Sequence, residues 1–192
     1  MDTYIIVEDP KSWNLKVPGV EVVKARDYLS DERYSTAGTA KVLNCCYYYH
    51  YQSTGYYVSL VAAARGHYPM PSVQALQDMR HNVVIRRASH NLTMQIQRSF
   101  KTVHGDTFEL SIYFGKNVAH RYSTLSKMLF NLFPLPFFRA YFIKEKGEWL
   151  LDDVRIIAVR DIPEHHRSFV MEQISGYIGR HTWKRRGKQQ PY

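Results

Sequence analysis

Lys41-Val42-Leu43-Asn44-Cys45-Cys46-Tyr47-Tyr48-Tyr49-His50-Tyr51-Gln52-Ser53-Thr54-Gly55-Tyr56-Tyr57-Val58-Ser59-Leu60-Val61-Ala62-Ala63-Ala64-Arg65-Gly66 passes from a strand into a helix. Lys41 to Cys45 reads as a strand. Tyr57, Leu60, Val61 and Ala64 recur at i, i+3, i+4 and i+7 and share one helical face. Ser53 is placed to cap that helix and Gly66 to end it, with Pro69 and Pro71 beyond. A strand running into a capped helix is where folds that mix the two elements place ligands. Free backbone N–H groups at Ser53, Thr54 and Gly55 would favour a carboxylate or phosphate. Asn44, Tyr51, Gln52 and Tyr56 would orient a polar substrate, and Arg65 would offer a carboxylate the two-pronged contact of a guanidinium. The same residues also read without any ligand, with Ser53 as a plain cap and the tyrosines packing with their hydroxyls at the surface.

Outward from this junction, Tyr4-Ile5-Ile6-Val7 is a strand stopped at Asp9-Pro10, and Val20-Glu21-Val22-Val23 is a second. A short helix is expected from Ser72 to about Met79 and a longer one from about Arg86 to Phe100. Phe108, Leu110, Ile112 and Phe114 alternate with Thr107, Glu109, Ser111 and Tyr113, so one face of that strand is buried. Leu125, Met128, Leu129 and Leu132 return to helical spacing before Pro134. Ala140 to Lys144 and Trp149 to Val159 flank Glu145-Lys146-Gly147-Glu148 as a hairpin, and a last helix begins near Pro163-Glu164. The order predicts an α+β fold, a mixed sheet with packed helices in a single continuous domain over residues 1–176. Residues 177–192 read as a basic tail or a truncated linker.

The composition agrees with a folded domain. In 192 residues, 45% are hydrophobic and 22% charged, which excludes global disorder. No apolar run is long enough to span a bilayer, and Met1-Asp2-Thr3-Tyr4 is acidic rather than a basic leader. The two cysteines, Cys45 and Cys46, are adjacent, a spacing that disfavours a structural disulfide and fits a reducing, cytoplasmic setting. The net charge is +9, of which five units come from Arg180, Lys184, Arg185, Arg186 and Lys188, leaving +4 on the body. With Trp183 and Tyr192 beside them, those five cations form a candidate nucleic-acid contact, or simply a solvated charge run.

No catalytic motif emerges. Cys46 and His50, four apart on an extended chain, would sit about 13 Å from each other, too far for direct proton transfer. His165 and His166 are the only histidines close in sequence, and adjacent positions do not build a metal site alone. Neither GxxxxGK[ST] nor GxGxxG occurs. The expectation is a chain with no catalytic residue, no metal and no cofactor of its own.

A set of ordered segments resembles a known family. Val20-Glu21-Val22-Val23, Ala25-Arg26-Asp27-Tyr28-Leu29, Lys41 to Cys45, Tyr51 to Leu60 and Ala63-Ala64-Arg65-Gly66-His67 are similar to the RimK-like ATP-grasp N-terminal domain. Asp106 to Gly115, Leu129-Phe130-Asn131-Leu132-Phe133-Pro134 and Asp161-Ile162-Pro163 follow in the same order. The likeness covers roughly residues 4–174. It implies an α+β module that accompanies an ATP-grasp carboxylate-amine ligase domain, in cis or in trans, with ATP and Mg²⁺ belonging to that domain. On this view the chain is an accessory that positions an amino acid or peptide; the alternative is a basic nucleic-acid or ribosome-associated protein.

Overall fold

The computed structural model describes residues 2–179. Its first sheet consists of β1 (Thr3–Val7), β2 (Glu21–Lys24), β3 (Lys41–Asn44) and β4 (Tyr68–Met70), all parallel in the order β2-β1-β3-β4. Helices α1 (Ala25–Ser30) and α2 (Glu32–Ser35) connect β2 to β3, and α3 (Thr54–Ala64) connects β3 to β4. All five residues of β1 are buried, because the sheet is covered on both sides. Tyr4 and Ile6 pack with Tyr28, Val58 and Ala62, whereas Ile5 and Val7 pack with Phe137, Val170 and Ile174.

The chain then forms α4 (Val73–Asp78), α5 (Asn82–Asn91) and α6 (Thr93–Phe100), followed by β5 (Thr107–Tyr113), α7 (Ser123–Leu132), β6 (Phe137–Glu145), β7 (Glu148–Ile156) and α8 (Arg167–Ile178). The last three strands make an antiparallel sheet of order β5-β6-β7. Lys146 (φ 51°) and Gly147 (φ 87°) both adopt the left-handed conformation that a two-residue hairpin turn requires. Ile85, Ala88, Leu92, Ile96 and Phe100 form the inner stripe of α5 and α6 and pack with Leu110, Phe142 and Leu151 of this sheet. β7 is an edge strand, and its outward backbone groups are met by side chains. Leu151 N–H donates to Ser89 Oγ (2.9 Å), Trp149 N–H to Gln97 Oε1 (3.1 Å), and Gln97 Nε2 donates to Trp149 O (2.8 Å).

The α+β class holds, with the parallel and antiparallel strands, expected in one mixed sheet, divided between two. β4 accounts for the division. Tyr68 N–H points toward β3, where it donates to Ala40 O (2.8 Å), so Pro69 sits where the next outward donor would be. Proline has no N–H, and this edge cannot extend the ladder there. Three local expectations also change. The helix expected from Arg86 begins at Asn82 and breaks at Leu92; β4 is a strand where only a proline stop was read; and α1 and α2 lie between strands read as consecutive. On α3 the spacing is right but the stripe is not. Gly55, Val58, Ser59 and Ala62 are the buried positions, while Tyr57 and Leu60 are each 41% exposed.

Candidate functional site

In the parallel sheet the chain leaves β1 toward β2 on one side, and leaves β3 toward β4 on the other. The carboxyl ends of β1 and β3 therefore flank a crevice of the kind in which open parallel sheets bind ligands. Two segments rise there, Glu8 to Ser12 and Cys45 to Ser53. The Glu8 carboxylate accepts the Tyr47 N–H on both oxygens (2.7 and 2.8 Å) and, more distantly, the Tyr48 N–H (3.4 Å). Tyr47 donates its hydroxyl to Ser12 Oγ, and the Arg160 guanidinium lies 4.7 Å from the centre of its ring. A single carboxylate thus fixes the tyrosine-rich loop to the end of β1.

The loop then folds over the start of α3. Ser53 is buried; its hydroxyl donates to Tyr48 O (2.8 Å) and accepts the Tyr56 N–H (3.3 Å). Gly55 N–H donates to Tyr48 O (3.2 Å), and a Cβ at Gly55 would lie 2.4 Å from that same oxygen. Two of the amides that a free helix start would offer an anion are therefore engaged within the chain. Asn44 is fully buried. Its Nδ2 donates to Gly55 O (2.7 Å) and Ser59 Oγ (2.9 Å), and its Oδ1 accepts from Cys46 N–H (3.3 Å). Arg65 lies apart from the loop, where its guanidinium donates to Tyr28 O (2.5 Å) and Leu29 O (3.2 Å) near the end of α1.

Of the seven residues expected to contact substrate, Asn44, Ser53, Gly55 and Arg65 serve the fold. The guanidinium of Arg65 has two backbone acceptors, on α1 rather than in the loop. The side-chain polar groups of Tyr51, Gln52 and Tyr56 make no hydrogen bond among the described residues. Tyr51 is 69% exposed and packs edge-on against Tyr56, with ring centres 5.4 Å apart. Gln52 is exposed and holds a left-handed backbone (φ 65°), unusual for a residue with a side chain. Both cysteines are buried, and desolvation, assisted by the nearby Glu8 charge, pushes both thiols up, away from the thiolate form. Tyr49 turns inward to donate to Asn44 O (2.8 Å), and burial holds its phenol well above the ordinary range.

Sequence reading did not find the neighbours of this loop. A cleft of about 230 Å³ lies between Tyr47, Tyr49 and His50 of the loop, Met79 and Arg80 after α4, and Arg155 and Ile156 at the end of β7. Its basic side chains are His50, Arg80 and Arg155. Arg155 pairs with Asp153 (2.6 Å), whereas Arg80 has no ion pair among the described residues. Nothing in the spacing of positions 50, 80 and 155 announces that they meet, because the fold alone brings them together. A larger hollow, about 680 Å³, lies at the amino ends of the parallel strands beside Glu21, Lys41 and Gly179.

Glu8-Asp9-Pro10 follows β1 where a phosphate-binding turn would need glycines, and the Glu8 carboxylate already takes the amides of Tyr47 and Tyr48. No helix among the described residues is long and apolar enough to cross a membrane. The cations proposed for nucleic acid, Arg180, Lys184, Arg185, Arg186 and Lys188, lie outside the described residues. A family model described as RimK-like ATPgrasp N-terminal domain matches residues 25–173. No curated protein sequence matches the chain.

Proposed function

The chain belongs to the RimK-like ATP-grasp N-terminal domain family, and from that membership we propose that it is the accessory module of an ATP-grasp carboxylate-amine ligase system. Its task is to hold an amino acid or peptide substrate for a ligase domain supplied in cis or in trans. That domain brings ATP and Mg²⁺ and performs the ligation. The observation that carries this reading is the cleft at the carboxyl ends of the parallel strands, where Arg80 and His50 stand beside an ordered tyrosine loop. A guanidinium without an acidic partner favours a carboxylate, and the phenolic rings give the body of an amino acid an amphipathic surface. Tyr51 and Gln52 of the same loop, and Tyr56 in the first turn of α3, are further contacts for a longer substrate.

A thermal-shift panel on the full chain tests the proposal, because a ligand selective for the folded state raises the apparent melting temperature. The panel comprises free amino acids, glutamyl peptides and ATP with Mg²⁺, each at low and high salt. The expected result is a shift with a carboxylate-bearing amino acid or peptide that survives high salt and is lost in Arg80→Gln. Tyr56→Ala should weaken the response to peptides more than to free amino acids. No shift with any amino acid or peptide, or a shift unchanged in Arg80→Gln, would sink the cleft assignment.

A further inference from the structure

Positive charge is concentrated in one helical layer. From Met79 to Gly105 the chain has five Arg or Lys residues and no Asp or Glu. Removing those five from the +4 of residues 1–179 leaves −1 for the remainder of that body, so its entire excess charge lies in this layer. None of the five forms an ion pair among the described residues, although four other arginines do.

The layer also points its cations outward. α5 and α6 bury Ile85, Ala88, Leu92, Ile96 and Phe100 in one core and both pack on β7, so their opposite faces look to the same side. On that side Arg87, His90, Met94, Arg98 and Lys101 are exposed and recur at three- and four-residue spacing across the break at Leu92, with Arg86 alongside. We propose that this face binds the phosphodiester backbone of nucleic acid without reading the bases. A basic stripe along helices is the electrostatic footprint of such binding, since each neutralised phosphate releases condensed counterions. The stripe holds no Phe, Tyr or Trp ring on which a base would stack, which points to backbone contacts. Its exposed apolar residues, Val83 at 71% and Met94 at 88%, stand eleven positions apart; they make neither the apolar centre of a protein interface nor a wedge for a bilayer. This inference does not rest on the cleft, and it concerns a different surface from the basic tail.

The test is fluorescence anisotropy of the full chain with a labelled mixed-sequence 20-nucleotide RNA and with a duplex of the same sequence, across a salt series. Four phosphate contacts, from Arg86, Arg87, Arg98 and Lys101, predict that affinity falls by about 50-fold for the single strand and about 150-fold for the duplex between 50 and 200 mM salt, with little dependence on sequence. The variant Arg86→Glu/Arg87→Glu/Arg98→Glu should weaken binding by about tenfold or more and lower the salt slope by about two to three. These side chains are exposed and unpaired, so its melting temperature should stay near the parent's. If it does not, the corresponding Arg→Gln triple reads the same comparison. A second variant, Lys184→Gln/Arg185→Gln/Arg186→Gln/Lys188→Gln, separates the tail, and it should retain most of the affinity. Two results would overturn the proposal: no RNA or duplex binding at 50 mM salt, or parent-like binding by the triple variant.

Discussion

Gly55 has no room for a side chain. The loop from Cys46 to Ser53 closes so tightly over the first turn of α3 that a Cβ would strike Tyr48 O, Cys46 and Tyr49 at once. Gly55→Ala should therefore lower stability by at least about 2 kcal/mol in a urea titration, because the obstacle includes backbone. Ser53 illustrates how far single residues were legible. Its capping role follows from the helical spacing that begins just after it, and the structure shows that cap. Whether its hydroxyl also faced a ligand depended on Tyr48 O, whose approach no local pattern encodes. Arg65 likewise lay one residue beyond a legible helix face, yet its partners are carbonyls near the end of α1. His67 makes a second prediction at this scale. It is buried, with Nδ1 2.8 Å from the Tyr28 hydroxyl, and burial, reinforced by the Arg65 charge, lowers its pKa below the ordinary 6.5. Burial lowers the pKa of His166 in the same way, with help from its cationic neighbours. A lowered folded-state pKa means that the unfolded chain takes up the proton first. The stability these imidazoles contribute is complete above about pH 6.5 and is lost as pH falls through the folded pKa. Denaturant titrations at pH 7.5 and 5.0 should show the decline, and His67→Gln should reduce it.

At the scale of elements, the joint between β3 and α3 is held by one amide. Asn44 bridges the strand end to Gly55 O and Ser59 Oγ while it receives the Cys46 N–H, all without solvent. Asn44→Ala would strand the Cys46 amide in the interior and should destabilise the fold by about 2 kcal/mol, measurable as a lower denaturation midpoint at unchanged slope. The alternating strand at Thr107–Tyr113 and the hairpin at Lys146-Gly147 were legible because period and turn chemistry are local properties. α3 was legible as a helix but not in its facing, since Tyr57, Val58, Leu60, Val61 and Ala62 offer two apolar stripes. Small residues decided between them: Gly55, Ser59 and Ala62 let the helix lie close to β3 in a way that Tyr57 and Leu60 do not. β4 escaped notice because Tyr68-Pro69-Met70 contains a proline that only an edge position accommodates.

For the whole molecule, β1, one of the two interior strands of the parallel sheet, lies outside the segment that the family model matches. That segment begins at Ala25, whereas β1 pairs with both β2 and β3 and contributes Ile5 and Ile6, each with no exposed surface. A fragment spanning residues 25–173 should fail to fold, with poorly dispersed amide resonances, although it contains nearly every residue that marks the family. The cleft depends on the same architecture. His50, Arg80 and Arg155 come from a loop after the first sheet, the end of a short helix and the last strand of the second sheet, so only the assembled fold makes them neighbours. The outer strand of the second sheet behaves unlike an ordinary edge for a related reason. With the amides of Trp149 and Leu151 already donating to Gln97 and Ser89, a strand from another copy finds no free donors at those two positions. Their hydrogens should exchange with deuterated solvent at the pace of global opening rather than of fraying, and the chain should resist ordered self-assembly along that side.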